Sequence, residues 1–153
     1  MNIDDIKKKY EKYGFSDFER INKEFELGAI ELDKWDFLNS FCRISNARIG
    51  KFIGYVTPLF MPGGTYAAIV QGGVKNKVVI DDAKKLYKDL MILYHDCLKA
   101  ELAEEKEQII YLKNFLKKYP SLKERVDSIL DACALVFIEQ DYDKKSDAKG
   151  YLG

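Results

Sequence analysis

Acidic residues are missing from a long stretch in the middle of this 153-residue chain. From Phe37 to Val79 there is neither Asp nor Glu, although the whole chain contains 25 acidic residues. This stretch, called the acid-free segment below, still contains five basic residues: Arg43, Arg48, Lys51, Lys75 and Lys77. The flanks 1–36 and 81–153 hold 10 and 15 acidic residues against 7 and 13 basic ones. The formal net charge of zero therefore hides a basic middle between two acidic flanks.

Cysteine is also scarce, and its pattern argues against disulfides. Cys42, Cys97 and Cys133 are odd in number, far apart and without a CxxC pair. Such usage is typical of reduced thiols inside cells, so we expect three buried, unpaired cysteines. The polar, acidic N-terminal sequence lacks the features of a secretory or mitochondrial signal, which favours a cytoplasmic location.

A single histidine, His95, limits metal and nucleophilic chemistry. The sequence has no Glu-x-x-His motif and no cluster of Cys and His with the spacing of a zinc site. We therefore expect no metal, no cofactor and no catalytic residue, which predicts a non-enzymatic protein. A catalytic Cys–His pair assembled across the fold stays open as an alternative.

Nucleotide-binding motifs are missing too, since neither the P-loop pattern nor G-x-G-x-x-G occurs. The turn Pro62-Gly63-Gly64-Thr65 offers backbone N–H groups that can hold a phosphate at a helix N-terminus. A plain turn is the favoured interpretation. An enzyme or small-ligand protein that uses this turn is the alternative.

The longest run without charge, Phe52 to Val74, raises the question of a membrane span. Two prolines and several glycines interrupt this run, and an isolated spanning helix does not tolerate them at this density. We expect no membrane association.

Helical periodicity of apolar residues covers most of the chain and predicts one all-α domain of about five helices over 1–153. The first helix is expected to run from an Asn2 cap to Gly14. The second is expected to begin at the capping box Ser16-Asp17-Phe18-Glu19 and to end at Gly28.

A third helix is expected to begin after an Asp33 cap and to end at Thr57-Pro58, because the residue before proline avoids the helical conformation. The spacing of Gly50 and Gly54 in this helix predicts the close approach of another backbone. The region from Pro58 to Ile80 is expected to be irregular, containing either a short helix from Thr65 or a β-hairpin across Gly72-Gly73.

No Gly or Pro interrupts the stretch from Asp81 to Tyr119, which predicts the strongest helix of the chain. A single helix of this length would measure about 58 Å, far more than the radius of a compact domain of this size. We therefore expect either a bend within Lys99 to Gln108 or a partner chain along the apolar seam. Pro120-Ser121 is expected to start a last helix, and a polar tail is expected from about residue 140.

The acid-free segment carries the functional hypothesis. Arg48 and Lys51 are three residues apart and share a helix face, Arg43 is only roughly in line, and Lys75 and Lys77 can reach the same surface. Tyr55 and Tyr66 can stack on bases. The hypothesis is binding of an RNA or DNA backbone, or another anionic partner, by these five basic residues. The alternative is that they pair with the acidic flanks inside the monomer.

The stretch Ile44-Ser45-Asn46-Ala47-Arg48-Ile49-Gly50-Lys51-Phe52-Ile53 resembles part of the small helical subunit of type III CRISPR effector complexes of the Csm kind. Gly50 stands where that family usually has a basic residue. Leu93-Tyr94 and Asp131-Ala132 are similar to two later positions of the family. The resemblance implies a non-catalytic, all-α subunit that lies along a guide–target duplex within a larger nucleoprotein complex.

The sequence therefore predicts a non-enzymatic helical subunit that binds an anionic backbone. The alternative function is a homo-oligomeric protein–protein interaction module with no nucleic acid, formed through the apolar seam over 81–119.

Overall fold

The computed structural model describes residues 3–34 and 36–139. In these residues the chain forms six α-helices and two short 3₁₀ turns, over Leu27–Ala29 and Thr57–Leu59, and no β-strand. The helices are α1 Ile3–Lys12, α2 Phe18–Phe25, α3 Phe37–Val56, α4 Thr65–Gly73, α5 Lys77–Glu101 and α6 Glu105–Glu139. The predicted all-α fold is confirmed, with six helices in the place of about five.

α3, α5 and α6 form the centre of the fold, and their side-chain contacts fix their directions. Contacts between α3 and α6 advance in the same order along both helices, which therefore run parallel. The pairs are Asn39–Gln108, Ser45–Tyr111 and Phe52–Tyr119. α5 runs antiparallel to both helices, since its late residue Cys97 meets Ser45 while its early residue Asp82 meets Arg125.

α1 and α2 cover one side of the first half of α3 through a cluster of aromatic rings. The Tyr10 ring lies 5.3 Å from that of Phe18 and 6.3 Å from that of Phe41, measured between centroids. Phe25 of α2 contacts both Phe41 and Phe115, with centroid separations of 6.2 and 5.6 Å. One continuous hydrophobic core therefore includes residues of all the helices from α1 to α6.

The helix boundaries near the N-terminus differ from the expected caps. The Ser16 capping box does not form, because α2 begins at Phe18 and its N-cap Asp17 lies in the left-handed region without capping through its side chain. Glu26, with φ of 54°, ends α2 ahead of Gly28. α3 is capped by Asp36 and not Asp33, since the Asp36 carboxylate accepts the Asn39 N–H at 3.1 Å. The expected cap Asn2 lies outside the described residues.

The middle of the chain is helical, and the hairpin alternative is wrong. Thr65 opens α4, and the Gln71 amide donates to the carbonyls of Pro58 and Met61 at 2.8 and 2.6 Å, which fixes α4 on the preceding turn. α5 begins at Lys77, because the Asn76 side chain accepts the Val78 N–H at 3.0 Å and caps it. This cap lies ahead of the expected start at Asp81.

The long helix expected over 81–119 is interrupted in its charged stretch, as one of the two alternatives predicted. α5 ends at Glu101, and α6 begins at Glu105 after a turn in which Leu102 N–H donates to the Lys99 carbonyl. The expected restart at Pro120 is wrong, since α6 passes through Pro120 without ending. Proline removes one backbone donor, but the packing on both sides of it is continuous from Tyr119 to Leu122 and Val126.

Gly50 and Gly54 do not mark a close backbone approach. A Cβ placed on either would meet no described atom within 4 Å beyond the helix's own backbone. Gly73 does mark such an approach, since its Cβ would lie 2.2 Å from Cγ1 of Val136 on α6. The end of α4 therefore rests against α6 only because Gly73 has no side chain.

Candidate nucleic-acid interface

The five basic residues of the acid-free segment lie in two parts of the fold. α3 carries Arg43, Arg48 and Lys51, while Lys75 and Lys77 lie in the connection before α5 and at its first residue. Arg43 is exposed and lines a shallow depression that also contains Glu26 and Glu31.

Arg48 has an acidic partner from the N-terminal flank. Its Nη2 donates to the backbone carbonyl of Glu24 at 2.8 Å, and its Nη1 lies 3.7 Å from Glu24 Oε1. Its guanidinium also sits over the Phe25 ring, 5.5 Å from the centroid. For this residue, the alternative of pairing inside the monomer is what the structure shows.

The Glu24 carboxylate gathers further donors from α6. The Tyr119 hydroxyl donates to Oε1 at 2.5 Å, and Lys123 Nζ donates to Oε2 at 3.0 Å. We call Glu24, Arg48, Tyr119 and Lys123 the Glu24 cluster. One carboxylate thereby joins α2 to α3 and α6.

The electrostatics of the Glu24 cluster follow from these bonds. Partial burial would raise the pKa of the Glu24 carboxyl, but the hydrogen bonds from Tyr119 and Lys123 and the charges of Lys123 and Arg48 outweigh it and lower that pKa below 4.5. Burial and the bond to Glu24 raise the pKa of the Tyr119 hydroxyl. At neutral pH the cluster therefore holds a carboxylate, two cations and a neutral phenol.

The remaining three basic residues are exposed. The side chains of Lys51, Lys75 and Lys77 form no ion pair or hydrogen bond with any residue that the structure describes. Cys97 lies opposite Ser45, so the antiparallel register of α3 and α5 separates Lys51 from Lys77 by about 20 Å along the helix axes.

The two tyrosines proposed for base stacking differ in their surroundings. Tyr55 on α3 is 44% exposed, and Tyr66 on α4 is 46% exposed. The Tyr66 ring already stacks on Phe137, with centroids 5.7 Å apart and planes 7° from parallel. Tyr55 is therefore the better placed of the two for contact with a base.

A buried polar network joins α3, α5 and α6, but its groups are not activated. The Ser45 hydroxyl donates to the Cys42 carbonyl at 2.7 Å and also contacts the Tyr111 hydroxyl at 2.9 Å and Cys97 Sγ at 3.7 Å. Burial raises the pKa of the Cys97 thiol, and it raises that of Cys42 to about 12. Since a nucleophilic cysteine needs a lowered pKa, these raised values favour a structural role for the network, which joins the three helices.

The cysteines are free and buried, as predicted: Cys42, Cys97 and Cys133. His95 is exposed, and its Nδ1 hydrogen-bonds to the Met91 carbonyl at 2.7 Å. Over the described ranges, His95 forms no hydrogen bond to a cysteine, and no group of three His, Cys, Asp or Glu side chains is placed to hold a metal.

The glycine-rich turn is open to solvent. Gly63 and Gly64 precede α4, whose N-cap Gly64 provides no side-chain hydrogen bond, and they line a shallow depression with Pro58 and Tyr66. Among the residues that the structure describes, no charged side chain lines this depression. In 3–34 and 36–139, no helix combines the length and apolar character needed to cross a bilayer.

The residues that sequence reasoning missed are Glu24, Tyr119 and Lys123. Each lies 24 or more positions from Arg48 in the sequence, so helical spacing could not connect them. The available signal was that Tyr119 falls on the apolar stripe of α6, where a buried tyrosine hydroxyl needs a hydrogen-bond partner.

Comparisons of this chain with protein-family models, with curated proteins and with solved structures found no match.

Proposed function

We propose that this is a non-enzymatic helical protein that binds the phosphate backbone of a nucleic acid through Lys51, Lys75 and Lys77. The supporting observation is that these three lysines are exposed and have no ion-pair partner among the described residues. The acid-free segment itself contains no carboxylate, and the nearest one after it, Asp81, forms no ion pair with Lys77 among the described contacts, so the charges of the three lysines are available to a polyanion.

The spacing of the lysines fits an extended backbone better than a small ligand. The axial separation of about 20 Å between Lys51 and Lys77 equals about six nucleotides along one strand, at about 3.4 Å each. Lysine contacts a phosphate as a point charge and carries no sequence information. The expected binding is therefore weakly dependent on sequence and strongly dependent on salt.

The resemblance to the small subunit of Csm-type complexes supports the same proposal, with the guide–target duplex of a nucleoprotein assembly as the polyanion. The resembling stretch Ile44 to Ile53 lies wholly inside α3, and it includes Lys51 on the exposed side of that helix. In such an assembly α3 would lie beside the duplex, with larger subunits contributing most of the affinity.

The test is an anisotropy titration of a labelled 20-nucleotide RNA and its duplex at several salt concentrations. The variant carries Lys51→Ala, Lys75→Ala and Lys77→Ala together. Loss of three phosphate contacts should weaken binding about 10-fold or more at 50 mM salt and reduce the slope of log K against log salt by about 2.

A matched control variant carries Lys8→Ala, Lys9→Ala and Lys106→Ala. These lysines are also exposed, but they lie in the acidic flanks. The control has the same net charge as the test variant and should bind as the wild type does. Equal losses in both variants, or no binding by the wild type at low salt, would refute the proposal.

Arg48→Ala is unsuitable for this test. Arg48 holds Glu24 and covers the Phe25 ring, so its loss would disturb the junction of α2 with α3. A reduced affinity would then have two explanations.

Self-association is the alternative function. It would have to use a surface other than the predicted apolar seam. The seam residues of α5 are buried within the monomer: Leu86, Leu90, Leu93 and Cys97. A second copy would have to use exposed apolar residues such as Ile92 and Ile110, which are 51% and 59% exposed. Sedimentation equilibrium without nucleic acid tests this alternative, which a monomer at all concentrations would exclude.

A further inference from the structure

We infer that Arg48, Lys123 and the Tyr119 hydroxyl form an anion-binding cradle, occupied in this structure by the Glu24 carboxylate, for which a nucleic-acid phosphate competes. For the nucleic acid as competitor, the inference rests on the proposed function. The cradle itself is carried by the geometry of the Glu24 cluster alone.

The donors of the cradle suit a phosphate oxygen as well as a carboxylate oxygen. Two cations and one hydroxyl converge from two different helices on the Glu24 oxygens. Charge-assisted donors of this kind bind either anion, and arginine in particular matches the geometry of both. Among the described residues, the carboxylate that pairs with both Arg48 and Lys123 is that of Glu24. When this charge is removed, the two cations can bind another anion.

Two of the three donors are held in place by contacts that do not involve the Glu24 carboxylate. Arg48 is fixed by its bond to the Glu24 backbone carbonyl and by the Phe25 ring. Tyr119 stacks on Phe52, with centroids 5.6 Å apart and planes 14° from parallel. The cradle is therefore expected to keep its shape when the carboxylate is neutralised.

The cradle is reachable from solvent. The side chains of Glu24, Arg48 and Lys123 retain 26%, 31% and 45% of their exposure. Arg48 also precedes Lys51 by one turn of α3, so a phosphate in the cradle would lie near the backbone path proposed above. Asp127 is a second carboxylate near Tyr119, and it remains in the test variant to oppose anion binding.

The first experiment measures RNA binding by Glu24→Gln, which preserves the size of the side chain and removes its charge. Release of two cations should strengthen binding of the 20-nucleotide RNA roughly 5-fold at 50 mM salt and steepen the salt dependence by about 1.5. The combined variant E24Q/K123Q, which keeps Arg48 and its contacts with α2, should lose most of this gain. Far-UV circular dichroism and thermal unfolding establish that each variant is folded.

Glu19→Gln is the matched control for this experiment. Glu19 also lies on α2, is exposed, and pairs with a single lysine, Lys7, at 3.1 Å. Its neutralisation changes net charge equally and releases a lysine outside the cradle, so RNA affinity should rise less than about 2-fold. An equal gain in E19Q and E24Q, or a gain that persists in the combined variant, would overturn the inference.

A second experiment is independent of nucleic acid and separates this inference from the proposed function. Inorganic phosphate is titrated into E24Q and wild type while NMR chemical shifts are recorded. In E24Q the saturable shifts should concentrate at Arg48, Tyr119 and Lys123, and the wild type should show none there. If E24Q shows no saturable shift at these residues, the cradle does not exist, whatever the outcome with RNA.

Discussion

At the scale of single residues, the Glu24 side chain both joins helices through its hydrogen bonds and pairs with the charges of Arg48 and Lys123. Its carboxylate links three helices. The hydrogen bonds that it accepts and the nearby cations lower its pKa despite partial burial. Removal of the charge should therefore affect stability as well as anion binding.

The contribution of Glu24 to stability should depend on pH with a definite sign. Because its pKa is lower in the folded protein than in the unfolded chain, the contribution is complete above the ordinary value of 4.5 and is lost as pH falls through the folded value. The free energy of unfolding of the wild type should decrease more steeply between pH 5 and pH 3 than that of E24Q. Urea unfolding at four pH values in this interval measures the difference, and parallel curves would contradict it.

The three thiols should be unreactive in the folded protein even in alkaline solution. Burial raises the pKa of all three thiols, that of Cys42 to about 12, and it also keeps a reagent in solution from reaching them. An aromatic disulfide reagent should label none of them quickly at pH 9 without denaturant and all three in 6 M guanidinium. Rapid native labelling of more than one thiol would contradict the structure.

Sequence reasoning predicted the burial of these cysteines but did not find the partner of Arg48, and both results have the same physical reason. Cys97 lies on a local apolar stripe, and periodicity within one helix is enough to predict its burial. The partner of Arg48 comes from another helix, and no local pattern specifies which carboxylate lies opposite it. Lys51, Lys75 and Lys77 were predicted as binding residues from the absence of acidic residues between Phe37 and Val79, which is also a local property.

At the scale of helices, replacing the glycines of α3 by alanine is expected to stabilise the protein. A Cβ on Gly50 or Gly54 enters open space, and alanine is favoured over glycine in a helix by about 1 kcal/mol. Gly50→Ala and Gly54→Ala should each raise the free energy of unfolding by up to about 1 kcal/mol.

Gly73→Ala provides the contrast for these two substitutions. Its Cβ would lie 2.2 Å from Cγ1 of Val136, a stiff β-branched side chain, so the substitution should destabilise the fold by about 1–3 kcal/mol. Chemical denaturation of the three variants tests the pair of predictions together. A stabilised Gly73→Ala would show that α4 does not pack on α6 as described.

At the helix ends, tertiary packing overrides the conformations that the local sequence favours. Asn76 caps α5 five residues ahead of Asp81, although Val78, Val79 and Ile80 favour strands in isolation. With Val74 buried and Val79 and Ile80 packed against the core, tertiary contacts determine the conformation of this region. Pro120 similarly stays within α6 because the apolar stripe continues on both sides of it.

At the scale of the whole molecule, the aromatic cluster of α1 and α2 and the contacts of α3, α5 and α6 belong to one core. Urea unfolding should therefore show one cooperative transition, with coincident curves from far-UV and near-UV circular dichroism. Tyr10→Ala in α1 should lower the free energy of unfolding obtained from both curves by about 3–5 kcal/mol, since it removes a fully buried ring. Two separated transitions would mean that the N-terminal helices unfold independently.

The order of the helices was predictable from the sequence, and their arrangement was not. The break near Leu102 follows from the length of the predicted helix and the charged stretch within it. The parallel pairing of α3 with α6 depends on contacts between residues 66 to 69 positions apart, which a single sequence does not reveal.

That parallel pairing has a consequence for synthesis of the protein. α3 is completed when Val56 is added, but Tyr119, the α6 residue on which Phe52 of α3 stacks, is added 63 residues later. At about 5–20 residues per second, this interval lasts roughly 3–13 s. During synthesis Phe52 is therefore without its α6 partner for this interval, although α3 itself is already complete.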